Sequence, residues 1–495
     1  KGKGKISAAG VRNIFPDWIP NAVEGKTAYN SVLLLPETKT EQADAELLMD
    51  LTVDSDLAGI VSPFPAPFAK TAEQLESFHL NHQVLENNQQ IFSASISELV
   101  NMKLYLPNQS AASGQIQFGG TTATISGKEG IEITGKFSHL DLQPWLEFLQ
   151  KPDISLEKID FSDYGHLYIN NLLVDDLKYL VNFNQVLISA NEQNNSLYFN
   201  LESEAISGKI QLPDADLKLP INIDLSTLVI ADQFPLLDKD VNAEPETSKQ
   251  SSAKPLPAIK ISCQQCTYNE HFIGSTNLTI NPIKKGNEFK LLMEGAGILE
   301  LNLLGDWKSD DNNNVVTNIS GNLNSKKLGA LLDIFNHKTG IHDTNLAAKG
   351  NLSWQGDPEQ FNFETLIGDI AINAGKGNQE DISDKGARLF SILSVGSLAR
   401  RLTLDFSDLF GAGFFYDGMK GNFTVTDGAF NTTDFVIDGT SADVEIKGVS
   451  DFSNNKIEKC ILVTPKLSSS LPILAGWAIE PVTGLVVYLM SKIFQ

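Results

Sequence analysis

The chain has 495 residues, 38 Lys+Arg against 61 Asp+Glu, a formal charge of −23 and 42% hydrophobic residues. That apolar content excludes general disorder. The acidic balance excludes nucleic-acid binding, because such a surface repels a phosphate backbone. Three cysteines, Cys263, Cys266 and Cys460, are too few for a disulfide-dense secreted scaffold.

The start, Lys1-Gly-Lys-Gly-Lys5, runs into sheet pattern without a signal peptide, and Lys492-Ile-Phe-Gln495 ends just after an apolar run. Both ends are therefore expected to lie inside a longer protein. From the start onward the dominant period is two, in segments of four to seven positions that break at Gly, Asn or Asp. In the first half the alternating apolar residues are Ile116, Phe118, Ile131, Ile133, Leu197, Phe199, Leu201, Ile221, Ile223 and Leu225. In the second they are Leu278, Ile280, Leu301, Leu303, Phe361, Phe363, Ile370, Ile372, Phe423, Val425, Val444 and Ile446. Each such strand presents one apolar and one polar face, as a half-buried antiparallel sheet requires. The predicted fold is mainly β: an elongated, curved antiparallel β-sheet groove of divergent repeats with short helical inserts.

Helical spacing is confined to inserts at 140–149, 172–180 and 325–335, with Asp141 and Ser325 placed to cap, and a longer one at 384–402. A loose unit recurs, in which Gly135-Lys-Phe137 and Gly321-Asn-Leu323 each precede a short helix. The polar, Pro-containing stretch 235–257 reads as a linker or inserted loop. The expected organisation is β repeats with short helices over 1–234, the linker, further β repeats over 258–383, and a helix with strands over 384–470. An apolar segment over 471–495 ends it.

Chemistry-bearing patterns are sparse. Cys263-Gln-Gln-Cys266 has no second Cys-x-x-Cys and only His271 nearby, so it predicts a local disulfide or two unreactive thiols and no metal site. His79-x-x-His82 reads as a solvated pair, and Asp405 and Asp408 as a helix corner with Phe406 and Phe410 packed beside them. No phosphate loop, dinucleotide fingerprint or nucleophile elbow is present. No catalytic residue and no cofactor are expected, and the chain is not read as an enzyme.

The apolar segment 471–494 is interrupted by Pro472, Glu480 and Pro481. It predicts a re-entrant or surface-lying hairpin with Trp477, Leu485, Val486, Val487 and Tyr488 in contact with a membrane. The other reading is that it plugs the end of an apolar groove.

The run Gly386-Ala-Arg-Leu-Phe-Ser-Ile-Leu-Ser394, with Leu398-Ala-Arg-Arg401 and Asp405-Phe-Ser-Asp408-Leu-Phe410, resembles the carboxy-terminal signature of the YhdP family. Gly413-Phe-Phe-Tyr-Asp417, Asp427-Gly428 and Val463-Thr-Pro465 continue that likeness. Upstream, Asp54-Ser-Asp56-Leu-Ala-Gly59 followed by Pro63-Phe-Pro-Ala-Pro67 is similar to the family's repeated module, and Gly350-Asn-Leu-Ser-Trp354 to the wider AsmA-like group. The resemblance implies a periplasmic protein, anchored in the inner membrane by a helix absent from this sequence. It implies a curved β-groove that passes phospholipid between inner and outer membranes, with no protein partner specified.

The alternating pattern fits the same mechanism. An elongated sheet with one apolar face can curl into an open trough for acyl chains, each CH₂ withdrawn from water being worth roughly 0.8 kcal/mol. The alternating residues named above are then the groove lining. The competing expectation is a structural or scaffolding envelope protein whose apolar faces close into a filled core.

Overall fold

The computed structural model describes residues 1–12, 22–35, 47–108, 111–125, 128–149, 166–179, 181–214, 218–230, 255–310, 312, 314–334, 340–379, 414–440, 442–454, 456–466 and 486–487. The chain divides into two units, Lys1–Leu219 and Pro220–Gln495. Both are mainly β, as the period of two requires.

The first unit opens with β1 (Gly2–Ser7), a short helix α1 (Ala8–Arg12), β2 (Glu24–Leu34), β3 (Leu47–Ser55) and β4 (Ile60–Val61). A meander follows: β5 (Phe78–Leu85), β6 (Gln90–Ile96), β7 (Val100–Leu106) and β8 (Ser113–Phe118). Then come β9 (Gly130–Phe137), β10 (Leu140–Asp141), helix α2 (Leu142–Leu149) and β11 (Leu167–Lys178). The unit closes with β12 (Asn182–Gln193), β13 (Ser196–Glu202) and β14 (Ile206–Pro213).

The second unit begins with β15 (Ile221–Ile230), β16 (Ile259–Tyr268), β17 (His271–Ile283), β18 (Gly286–Gly295), β19 (Leu299–Ser309) and β20 (Val315–Ser325). Helix α3 (Leu328–Ile334) and β21 (Ile341–His342) lead to β22 (Leu346–Gln355), β23 (Ile367–Ala374) and β24 (Gly377–Gln379). The remaining strands are β25 (Phe414–Thr426), β26 (Ala429–Gly439), β27 (Ala442–Asp451), β28 (Lys456–Pro465) and β29 (Val486–Val487).

Most neighbours pair antiparallel and follow one another in sequence, joined by tight turns. Asn194-Asn195, Asn269-Glu270 and Asp427-Gly428 each join two strands with both central residues at positive φ. That turn geometry matches the right-handed twist of the strands and fixes their register. The sheet departs from the expected antiparallel pattern at β8–β9, β9–β11, β10–β11 and β15–β16, which are parallel. Parallel neighbours need a crossover connection between them. The linker or inserted loop expected at 235–257 lies between two strands that pair with each other, and residues 231–254 are outside the described ones.

Two predicted helices form. The Asp141 carboxylate accepts from Gln143 N–H at 3.1 Å at the start of α2, and the Ser325 hydroxyl accepts from Lys327 N–H at 3.1 Å before α3. Both are the capping interactions expected of these residues. The third prediction is corrected: 172–178 is strand, part of β11, hydrogen-bonded on one side to β9 and on the other to β12. A bulge between Ile169 and Leu172 breaks the alternation there. Its apolar spacing then imitates a helix. The predicted helix at 384–402 lies outside the described residues.

Candidate functional site

Residues that pair across strands share a face, so the register assigns the apolar side chains directly. In the first unit one row runs through Val53, Leu80, Ala94, Met102, Ile116, Ile133, Ile169, Ala190, Phe199 and Ile210, from β3 to β14. Phe118, Ile131, Leu197 and Leu201 sit two residues along their strands from members of that row, on the same face. The seven groove residues predicted in this unit are thus brought onto one surface.

The second unit repeats the arrangement. A row passes through Ile223, Ile261, Leu278, Leu291, Leu303, Gly321, Gly350, Ile370 and Phe423, from β15 to β25. Another joins Leu346, Ala374, Met419, Ile437, Val444 and Val463, from β22 to β28. Ile221, Leu225, Ile280, Leu301, Ile372, Val425 and Ile446 lie on this face too. Phe361 and Phe363 do not lie on a strand. They belong to the connection between β22 and β23, where a 3-10 turn spans Phe363–Thr365. There they pack on Trp354, Leu366 and Val425, so the expected strand is replaced by an aromatic cluster at the strand ends.

The apolar face is rimmed at its strand ends. In the first unit Phe68, from the loop after β4, meets Phe118 and Phe137 at centroid distances of 5.8 and 6.1 Å. Trp145 of α2 donates its indole N–H to Ala66 O at 3.1 Å, tying the helix to that loop. In the second unit α3 buries Leu328, Leu331 and Ile334 against Leu299 and Ile341, next to Leu301, Leu323 and Leu346. The Trp354 cluster occupies the opposite strand ends. Between these rims Leu278, Leu291, Leu303, Ile319, Leu352 and Ile370 are only half-buried. Toward the C-terminal strands the face is sealed: Ile437 is 1% and Ile446 0% exposed, packed with Phe423, Phe435, Val444 and Ile461.

The sequence reading omitted Phe289, Leu291, Met293, Ile319 and Leu352, which share the second unit's face. The alternation Phe289-Lys-Leu291-Leu-Met293 carries the signal that would have found three of them. The sequence also contains a Gly-x-apolar recurrence, in Gly321-Asn-Leu323, Gly350-Asn-Leu352, Gly368-Asp-Ile370 and Gly421-Asn-Phe423. The register places each of these glycines on the apolar face, where a Cβ on Gly321 would collide with Asn302 O. Backbones approach closely here, and glycine is the residue that allows it.

The reverse face is polar and acidic. Amide side chains bind carboxylates across strands: Asn81 to Asp50 at 2.6 Å, Asn318 to Asp306 at 3.0 Å and Asn351 to Asp369 at 3.2 Å. Asn422 donates to Asp434 from its backbone N–H at 2.8 Å and its side-chain amide at 2.6 Å. These bonds hold the Asp434 carboxyl below its ordinary range.

Cys263 and Cys266 form a disulfide within β16, and both are buried. Residues three apart on a regular strand point to opposite faces, but a register shift between Cys263 and Cys266 breaks the alternation there. A link this short constrains little unfolded chain, so C263A/C266A is expected to cost at most about 2 kcal/mol in denaturant unfolding. His79 and His82 do point to opposite sides. His79 Nδ1 lies 2.8 Å from Asp54 on the polar face, whereas His82 stacks on Phe92 at 4.0 Å on the apolar face. They cannot share a metal ion, and no group of three or more His, Cys, Asp or Glu placed to hold one occurs among the described residues.

No helix among the described residues is long and apolar enough to cross a membrane. Of the predicted membrane-contact residues, Val486 and Val487 form β29, paired with Leu462 and Ile461 of β28. Trp477, Leu485 and Tyr488 lie outside the described residues.

Two units built this way define an open-sheet β protein whose apolar face crosses strand after strand, with no second sheet laid on it among the described residues. The chain belongs to the YhdP family, whose model, described as YhdP protein, matches residues 1–495. It is 28% identical over 252 residues to the "Intermembrane phospholipid transporter YhdP" of Escherichia coli (strain K12). That match covers 50% of this chain and 20% of the relative. No solved structure matches it.

Proposed function

We propose that this chain is part of a periplasmic conduit that carries phospholipid along its apolar β-face between the inner and outer membranes of a bacterial envelope. One observation carries the reading: the apolar row from Ile223 to Phe423, unbroken across successive strands and half-buried along its middle. Acyl chains laid on such a surface leave water at every step, and a uniform lining gives similar free energy from strand to strand. A lipid can then move without a deep trap. The amide-paired reverse face keeps the sheet wetted. Membership of a family with a phospholipid transporter supports the same reading. The reading assigns the chain no catalysis and no cofactor.

The test is photo-crosslinking in the envelope, with a photoreactive residue at Leu278, Leu303 or Ile370 on the apolar face and at Leu304 or Asp369 on the other. Phospholipid adducts confined to the first three positions are the expected result. Equal labelling of both faces contradicts the proposal. The second reading, a scaffold with a closed β core, draws on the sealed C-terminal strands around Ile437 and Ile446. It requires that none of the apolar positions yields an adduct.

A further inference from the structure

Asn287 stands on the apolar face of β18, where the alternation Phe289-Lys-Leu291-Leu-Met293 calls for a hydrophobic residue, and it is 0% exposed. It pairs with Pro282 and Trp307, and the row continues through Thr317 to Trp354. A buried amide is costly unless its donor and its acceptor are both matched. Here the match is backbone. The Asn287 side-chain oxygen accepts from Leu256 N–H at 3.0 Å, and its Nδ2 donates to Leu256 O at 3.1 Å. The amide grips residue 256 as a neighbouring antiparallel strand would.

Leu256 lies three residues before Ile259, the first residue of β16, whereas Asn287 is on β18. Strands two apart stand about 10 Å from each other, which is about the longest reach of three residues. Residues 255–257 therefore form a strap that runs across the end of β17 on its apolar side. The sequence suits that run. Pro255 and Pro257 have a fixed φ and no N–H, so Leu256 carries the strap's one backbone donor, and Asn287 takes it. The same row holds other off-strand segments: Thr317, 0% exposed, donates to Gly356 O at 2.7 Å, and the Trp354 indole donates to Asp357 O at 3.2 Å. One row further in, Phe289, Ile319 and Leu352 are half-buried.

Resting on the conduit reading above, we propose that Asn287 is a positioning residue that clamps the 255–257 strap as a side wall of the lipid path. With the segments held by Thr317 and Trp354, the strap closes one side of the half-buried floor, and α3 closes the other. Acyl chains can slide from strand to strand but cannot leave past the strand ends. A wall of this kind acts on rates. Its removal opens a sideways route for entry and escape alike, and leaves the floor, and so the amount of lipid held, as it was.

The full chain is loaded from vesicles of phosphatidylethanolamine and phosphatidylglycerol and then mixed with a soluble cyclodextrin acceptor. Native mass spectrometry counts the lipid held at saturation and follows its loss. N287L suits the apolar row and has no amide; it is expected to hold the wild-type number of phospholipids and to lose them about tenfold faster, the worth of two hydrogen bonds. Hydrogen exchange at the Leu256 amide should quicken with it. L256P removes the strap's donor and leaves every β18 side chain in place; it is expected to lose lipid about threefold faster. Should N287L not fold, L256P carries the same test. Escape at the wild-type rate overturns the wall, and so does a Leu256 amide that stays protected in N287L. A fall in the number held with escape unchanged overturns it too, since that marks a purely structural role. In each of these cases the wild-type chain still holds lipid; a wild-type chain that holds none overturns the conduit reading itself.

Discussion

Replacing Ile372 with Asp is expected to slow phospholipid transfer between donor and acceptor vesicles by on the order of a hundredfold, with the fold intact. Ile372 is half-buried on β23, between Ala348 and Gly421 in the apolar row. A carboxylate there stays hydrated while the groove is empty, so the sheet tolerates it. An acyl chain passing over it must strip that water, which costs several kcal/mol for an ion, and each 1.4 kcal/mol is tenfold. Phe199→Asp and Ile223→Asp, each in an apolar row of its own unit, are expected to act the same way. Asn373→Asp, next to Ile372 on the polar face, is the control and should leave transfer unchanged. Wild-type transfer by a folded I372D chain contradicts the assignment of this face.

Ile446→Ala is expected to destabilise the second unit by about 3 kcal/mol, with the melting temperature lower by on the order of 10 °C. Ile446 is 0% exposed and packs among Phe435, Val444 and Ile461, where the loss leaves a cavity. Leu303→Ala, at the half-buried middle of the same face, is expected to cost about 1 kcal/mol or less, because no packed layer covers it. Calorimetry on the two variants separates a sealed end from an open floor. Equal losses at both positions would mean that the middle is packed as tightly as the end, which favours a filled core.

The faces of the strands were legible because alternation survives pairing: Leu278, Leu303 and Ile370 lie two residues from equally apolar neighbours, and register carries them to one side. The caps at Asp141 and Ser325 were legible because they depend on local geometry alone. Strand direction was not, since a side-chain pattern reads the same in parallel and antiparallel pairs, and β15–β16 is parallel. The helix expected at 172–180 failed because spacing over so short a span is weak against pairing with β9 and β12 on either side. Phe361-Asn-Phe363 alternates like a strand yet caps one, because aromatic packing on Trp354 decided its conformation. Which parts of the face are sealed depends on what packs over each strand, and no single strand's sequence encodes that.

The most direct measurement is native mass spectrometry of the full chain purified from a bacterial envelope, with extraction and identification of lipid from the same sample. The account predicts phospholipid bound to the folded wild-type chain and lost from I372D but not from N373D. A well-folded wild-type chain carrying no lipid would contradict it.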